Sequence, residues 1–221
     1  MNIQSIVAHE LFEDPDTTRE AIMEATYRAL CGHGYTNLTI QRIGDEFPKS
    51  KSLVYHHYDG KDDLLLDFLA YLLEHFEAKV PREEYEDAAA HLQAVIEYVL
   101  PDDLDEERRD FTSAMIELRA QAAHDPEYRE HFTRSTEFFH RRLAAIVERG
   151  IEEGVFREVD PDRVASLLLA TIDGARLHRA TADVEGTIPA VREELREYTR
   201  TQLLAEGSGE SENGRESGGG R

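Results

Sequence analysis

The chain has 221 residues, and its 46 acidic and 25 basic side chains give a formal net charge of −21 at pH 7. This length is sufficient for one or two compact domains with a hydrophobic core. The single cysteine, Cys31, excludes both an intramolecular disulfide and a zinc site built from several cysteines. We find no signal peptide and no apolar run long enough to cross a membrane, so we expect a soluble, cytoplasmic protein.

The charge is unevenly distributed along the chain. Residues 33–61 contain four positive and three negative side chains, whereas the segments on both sides are strongly acidic. The chain has only four lysines, and Lys49, Lys51 and Lys61 all lie in this least acidic segment. A lysine-poor, acidic surface resembles that of proteins from extreme halophiles, in which carboxylates maintain hydration in concentrated salt. An ordinary acidic cytosolic protein is the alternative.

The N-terminal part predicts one regular helix after a short extension. Residues 1–16 have apolar side chains at helical spacing and could form either a short helix packed on the body or an extension that orders only on DNA. Thr17 begins the next helix with a capping box, because Glu20 follows three residues later. We expect Gly34 to end this helix. Its buried side is predicted to contain Ile22, Ala25, Ala29 and Leu30.

Residues 39–58 predict two short helices joined by a tight turn. Ile40, Ile43 and Phe47 are spaced three and four apart, which places them on one face of the first helix. Ser50 is predicted to cap the second helix, its side-chain oxygen accepting from an unpaired amide. The outward side of the second helix then carries hydrogen-bonding and cationic groups suited to the DNA major groove. These outward residues are Lys51, Ser52, Tyr55 and His56.

The remainder of the chain predicts further helices. Asp59-Gly60 precedes a long helix with an apolar face, and Pro81 marks its junction with the following segment. Helical apolar stripes then continue to residue 198, separated near residues 101–103, 125–126, 150–154, 160–161 and 187–189. No segment alternates as a strand does. The predicted fold class is therefore all-α, with about nine helices.

These motifs resemble the DNA-binding domain of the TetR family of transcriptional regulators, over about residues 17–76. The matching residues are Ile22, Ala25, Ala29, Gly34-Tyr35, Thr39, Ile43-Gly44, Ser50, Val54-Tyr55-His56-His57-Tyr58 and Lys61-Asp62-Asp63-Leu64. One departure lies in the turn, where Phe47-Pro48-Lys49 replaces the usual Ala-Gly-Val. Proline cannot adopt positive φ, so the pose of the second helix is left open.

The resemblance implies roles for individual residues in DNA binding. Lys51, Ser52 and His56 are candidates for base edges, with Lys51 suited to O6 and N7 of guanine. Tyr55, His57 and Lys61 stand at positions that commonly contact phosphates in the family. Thr39, Gln41 and Arg42 could reach the DNA backbone or an adjacent base. The full set of candidate DNA-binding residues is Thr39, Gln41, Arg42, Lys49, Ser50, Lys51, Ser52, Tyr55, His56, His57 and Lys61. For Tyr55 and Tyr58, packing in the core is the alternative.

Residues 152–180 resemble the C-terminal half of the family, in which the last two long helices pair with those of a second subunit. A homodimer would double the short stretch of DNA read by one helix. The candidate dimer residues are Leu167, Ile172, Ala175, Leu195 and Tyr198. The family also has a pocket for a small-molecule effector, here of unknown identity. Its candidate lining residues are Tyr85, Phe111, Met115, Phe138, Phe139 and Arg176, with plain core packing as the alternative.

The predicted organisation is an N-terminal extension (1–16), a helix-turn-helix DNA-binding domain (17–60), a connecting helix (61–80), an effector-binding and dimerisation domain (81–206) and a disordered tail (207–221). The function expected is a ligand-responsive repressor that binds a palindromic double-stranded DNA operator as a homodimer. A helical dimeric scaffold with weak or non-specific DNA binding is the alternative. Enzyme motifs such as H-E-x-x-H and G-x-S-x-G are absent from the sequence, and we expect no metal and no cofactor. His124, Asp125 and His131 could suggest a metal cluster, but surface histidines on an acidic helix explain them as well.

Overall fold

The computed structural model describes residues 15–79 and 85–205, and within these ranges the chain forms nine α-helices. Their bounds are α1 Thr18–Asn37, α2 Ile40–Glu46, α3 Lys51–His57, α4 Lys61–Lys79, α5 Ala88–Val99, α6 Glu106–Gln121, α7 Pro126–Glu152, α8 Pro161–Thr181 and α9 Thr187–Tyr198. A π-helical turn, Thr199–Leu203, follows α9. The predicted all-α class is confirmed. The sequence predictions for residues 1–14, for the junction at Pro81 and for the tail 207–221 lie outside the described residues.

Most helix starts follow from local side-chain chemistry. The capping box of α1 is present, with the Thr17 hydroxyl accepting from the Glu20 amide at 3.1 Å and the Glu20 carboxylate accepting from the Thr17 amide at 2.9 Å. Asp125 and Asp160 cap α7 and α8, each of which has proline at its first helical position. The cap position of α9 is Gly186, whose φ of 78° suits glycine, and Thr187 is the first residue of the helix.

One hydrophobic core joins the first four helices to the C-terminal part. Side chains of α1 to α4 pack with Ala114 and Leu118 of α6 and with Tyr128 and Phe132 of α7. The ring of Phe111 lies 4.8 Å from that of Tyr27, between α6 and α1. Helices α1 to α4 therefore share a continuous core with α6 and α7.

A second core lies among α5, α7, α8 and α9. The segment after α7 covers one side of this core. Phe156 in this segment is 3% exposed, and its backbone amide donates to the Gly150 carbonyl at 2.8 Å. The end of the described chain docks here, since the Arg157 amide donates to Leu203 at 2.8 Å and the Ala205 amide to Val155 at 2.9 Å. This core holds α8 and α9 against the body of the chain.

Three further observations concern the Cys31 thiol, membrane spanning and metal binding. Cys31 is half-buried against the first core, and burial raises the pKa of its thiol to about 12, so it is an unreactive packing group. None of the described helices is both long and apolar enough to span a membrane. Among the described residues no three histidine, cysteine, aspartate or glutamate side chains lie together as metal ligands would, which leaves the suggested cluster around His131 without support.

Candidate nucleic-acid interface

The helix-turn-helix forms although its turn lacks glycine. Helix α2 ends at Glu46 and α3 begins at Lys51, and Phe47 between them is extended at φ −78° and ψ 127°. An extended residue is what a following proline favours, so Pro48 fits the turn without strain. Ile43 and Val54 are fully buried and Phe47 is 5% exposed, so that the two helices are held together from the inside.

The prediction that the side chain of Ser50 caps α3 is wrong. Ser50 occupies the cap position, but its hydroxyl accepts from no helix amide and instead pairs with the Ser52 hydroxyl at 2.7 Å. The physical reason is that two hydroxyls two residues apart satisfy one another, and this local pairing competes with capping. Both hydroxyls therefore lie together at the exposed start of α3.

The outer face of α3 is open to solvent. Tyr55 is 53% exposed, which rules out core packing for it, and His56 and His57 are exposed beside it. Tyr58, by contrast, packs against the first core. The remaining exposed candidates are Thr39, Gln41, Lys49, Ser50, Lys51 and Ser52, whereas Arg42 and Lys61 are half-buried.

Most cations of this surface already have partners within the chain. The Lys51 ammonium is paired with the Asp45 carboxylate. The Lys51 side chain also packs against Gly44, where a Cβ would lie 3.4 Å from the Cβ and Cγ atoms of Lys51. The Lys61 ammonium lies 4.1 Å from the centre of the Tyr35 ring, and the Arg42 guanidinium donates to the Asn37 carbonyl. Among the described residues of this surface, Lys49 is the cation without such a contact.

A polar cluster fixes the end of α3 to two other helices. The Tyr58 hydroxyl donates to Asp67 of α4 at 2.6 Å, and Arg19 of α1 donates to the same carboxylate at 2.6 and 3.1 Å. Arg19 also reaches Glu74 at 3.1 Å. Burial opposes ionisation of Asp67, but the hydrogen bonds from Arg19 and Tyr58 outweigh it and lower the pKa of this carboxyl. The end of α3 is thus held by an ionised Asp67.

Sequence reasoning missed this cluster and also missed Glu117. The Glu117 carboxylate on α6 accepts from the Thr36 amide at 3.1 Å, just after the turn that Gly34 makes at φ 64°. Asp67 and Glu117 are 48 and 81 residues from their partners Arg19 and Thr36. No local signal in the sequence connects such distant positions. Glu117 joins the C-terminal helices directly to the segment that leads into α2.

The six candidate pocket residues lie in different parts of the structure. Phe111 and Met115 belong to the first core, against α1 and α4. Phe138 and Phe139 form an aromatic group with Phe76 of α4, the rings of Phe76 and Phe139 lying 5.9 Å apart. Tyr85 stacks on His91 at 4.3 Å. Arg176 alone faces the junction of α5, α6 and α8, where burial lowers its pKa beside Asp173, Arg119 and Tyr98.

Three of the five candidate dimer residues lie in the core of the chain itself. Ile172, Ala175 and Leu195 are 4%, 4% and 5% exposed, so they cannot form an outer contact surface. The stripe on which they were chosen is the inward face of α8 and α9. Leu167 is 47% exposed and shares the outer face of α8 with Leu177, which is 45% exposed, while Tyr198 is half-buried.

Comparison with known proteins agrees with this architecture. A family model described as bacterial regulatory proteins of the tetR family matches residues 22–68, and one described as the C-terminal domain of BetI-type transcriptional repressors matches residues 88–204. A TetR transcription regulator from Haloarcula marismortui is 40% identical with a TM-score of 0.75, over 84% of this chain and 98% of that one. The transcriptional repressor AcnR of Corynebacterium efficiens is 28% identical over 79% of this chain and 88% of its own length.

A transcriptional regulator from Saccharomonospora viridis, solved in complex with choline, has the same fold at 24% identity and a TM-score of 0.73, over 85% of this chain and 97% of that one. The helix-turn-helix geometry, the C-terminal helical body and the two family models, which together span most of the described chain, agree with one another. The chain therefore belongs to the tetR family of DNA-binding transcriptional repressors, with a C-terminal domain of the BetI type.

Proposed function

We propose that this repressor binds a two-fold symmetric operator as a homodimer, that α3 reads the bases, and that a small effector bound among the C-terminal helices releases the DNA. The observation that carries the proposal is the outer face of α3, which presents Ser52, Tyr55 and His56 to solvent above a fully buried Val54. A rigidly held short helix with exposed hydrogen-bonding groups suits the major groove.

The homodimer is supported by the exposed apolar residues of α8. Leu167 and Leu177 flank Ala170 and Gly174 on the outer face, and a Cβ built at Gly174 would meet nothing within 4 Å. Small residues between exposed leucines permit close approach of a second helix, and an isologous pair of such faces buries both. Two copies of α3 at a fixed spacing then double the length of DNA that is recognised.

The first test is operator binding by His56→Ala. Fluorescence anisotropy is measured with the chain's own upstream DNA and with a scrambled duplex. We expect the variant to bind the native fragment about tenfold more weakly, because one base contact is worth roughly 1–3 kcal/mol. His124→Ala is the matched control, since His124 is an exposed histidine in the turn before α7. Equal, weak binding of the parent to both duplexes would contradict the proposal and favour the scaffold alternative.

The paired cations predict how binding depends on salt. The Lys51 ammonium is already paired with the Asp45 carboxylate. When it moves to the DNA it exchanges one anionic partner for another, so its binding adds little to the release of counterions. Affinity should then rest on base-edge and apolar contacts. This mode suits concentrated salt, and together with the scarcity of lysine and the Haloarcula relative it supports a halophilic source.

Asp45→Asn should make operator binding more dependent on salt. The substitution removes the partner of Lys51, so we expect tighter binding at low salt and a plot of log affinity against log salt that is steeper by about one. Asp59→Asn is the control, because it makes the same change in net charge at a nearby exposed position. The paired-cation interpretation is wrong if the two variants have the same slope.

A further inference from the structure

Three arginines converge at the junction of α5, α6 and α8. Asp173, Arg176 and Arg179 are spaced by three on α8 and so share one side of that helix. Arg119 of α6 lies opposite, with its Nη2 atom 3.5 Å from the Asp173 carboxylate. The Nη1 atom of Arg179 donates to the Pro101 carbonyl, just beyond α5, at 2.7 Å. The junction is therefore bounded by groups from three helices of the C-terminal body.

The partners of these arginines are unequal. Arg119 is well satisfied, since it also donates to the Thr136 hydroxyl at 3.3 Å and lies 5.3 Å above the Phe132 ring. Arg179 has its Nε atom buried without an acceptor. For Arg176, no described residue accepts a hydrogen bond from the guanidinium or forms an ion pair with it within 4.0 Å. Three positive groups thus face a single carboxylate, Asp173, which Arg119 already holds.

This charge arrangement is unfavourable as it stands. Burial lowers the pKa of Arg176, and burial followed by the neighbouring charge of Arg176 lowers that of Arg179. Arginine nevertheless stays protonated, so the half-buried Arg176 and Arg179 leave this junction with an uncompensated positive charge. The composition does not account for it, because the chain has 46 acidic side chains and only 25 basic ones. An acidic chain that gathers three arginines around one carboxylate, with Arg176 and Arg179 half-buried and Arg119 47% exposed, has a place for a negative ligand.

We infer that this junction binds a small dianion, a dicarboxylate or a phosphate monoester, through Arg176. The five N–H donors of a guanidinium match the paired oxygens of either group. The inference rests on the proposed response to an effector and names the chemical class of that effector. It also sets this chain apart from the Saccharomonospora relative, because choline is a cation and three arginines would repel it.

The test is ligand binding to the full chain by isothermal titration calorimetry and thermal unfolding, at one fixed potassium chloride concentration. The probes are succinate, glycerol phosphate and choline. We expect a dianion to bind and to raise the unfolding temperature, and Arg176→Met to weaken its binding by about tenfold or more, as expected for a lost charge-assisted pair. Without ligand, Arg176→Met should unfold at a higher temperature than the parent, because an unpaired, half-buried charge beside Arg179 is removed. Arg141→Met, at an exposed arginine of α7, should change neither result.

The two dianions distinguish a carboxylate ligand from a phosphate ligand. The inference is overturned if neither binds, if Arg176→Met binds them as the parent does, or if choline binds in their place. Operator anisotropy with and without the dianion separates this result from the proposed function. Specific operator binding without Arg176-dependent anion binding would support the proposed repressor function and contradict the anion site. Arg176-dependent anion binding without operator recognition would support the anion site and contradict the proposed repressor function.

Discussion

Replacing Gly150 by alanine is expected to lower the free energy of unfolding by about 3 kcal/mol, the upper range for overpacking a core. A Cβ at this position of α7 would overlap the Phe156 ring and lie 2.8 Å from its Cγ atom. The ring cannot move outward, because Phe156 is 3% exposed within the second core. The backbones cannot separate either, since the Phe156 amide donates to the Gly150 carbonyl at 2.8 Å.

Urea denaturation monitored by circular dichroism measures this effect. Gly32→Ala is the matched control, because Gly32 lies in α1 with nothing within 4 Å of a built Cβ. Alanine in a helix is about 0.5–1 kcal/mol more favourable than glycine, so this control should be slightly more stable than the parent. A Gly150→Ala variant as stable as the parent would show that the turn after α7 can shift. It would also show that the hydrogen bonds of this turn with residues 203–205 do not hold it in place.

The helical architecture could be predicted because its signals are local. Thr17 with Glu20, Asp125 with Pro126, and Asp160 with Pro161 each combine a capping side chain with a residue that favours the first helical turn. The helix-turn-helix was recognisable for a similar reason, since its motif residues lie within one continuous stretch. Pro48 did not prevent the fold, because the extended Phe47 before it already satisfies the restriction that proline imposes.

Packing partners were not predictable to the same degree. Apolar spacing identifies the buried face of a helix but not the element against which it packs. Ile172, Ala175 and Leu195 were assigned to a dimer interface and lie in the core of their own chain. Phe111 was a candidate for an effector pocket and packs against Tyr27 of α1, which agrees with the core-packing alternative. Both cases arise where a helix has partners on more than one side.

Long-range polar contacts were the least predictable feature. The Tyr58 to Asp67 hydrogen bond, the Arg19 fork and the Glu117 contact with Thr36 join elements that no spacing rule connects. They nevertheless link α1 and α4 to the end of α3, and α6 to the end of α1. This part of the site is expected to govern how a change among the C-terminal helices reaches the DNA.

Asp67→Ala is expected to weaken operator binding by about tenfold and to lower the free energy of unfolding by about 1–2 kcal/mol. The substitution leaves Arg19 and the Tyr58 hydroxyl without their shared acceptor, so the end of α3 loses its fixed exit from the domain. The stability loss is set below the full value for a charged hydrogen bond because Arg19 is 42% exposed. Anisotropy is measured at a temperature at which both proteins are fully folded.

Two further variants separate orientation from stability. Tyr58→Phe removes only the tether to α3 and leaves the Arg19 to Asp67 pair, so it should weaken operator binding with a smaller loss of stability. Glu74→Ala removes an exposed contact of Arg19 and should change both quantities little. If Asp67→Ala binds the operator as the parent does, the cluster stabilises the fold without orienting α3.

The pH dependence gives the same cluster an independent signature. Because the folded-state pKa of Asp67 lies below its ordinary value of 3.8, its ionised form contributes stability above that pH, and the contribution is lost as the pH falls through the folded-state pKa. The difference in stability between the parent and Asp67→Ala should therefore be constant near neutrality and shrink below about pH 4. A difference that stays constant into acid would mean that the variant loses packing rather than an ionised acceptor, and the orientation of α3 would then depend on apolar contacts alone.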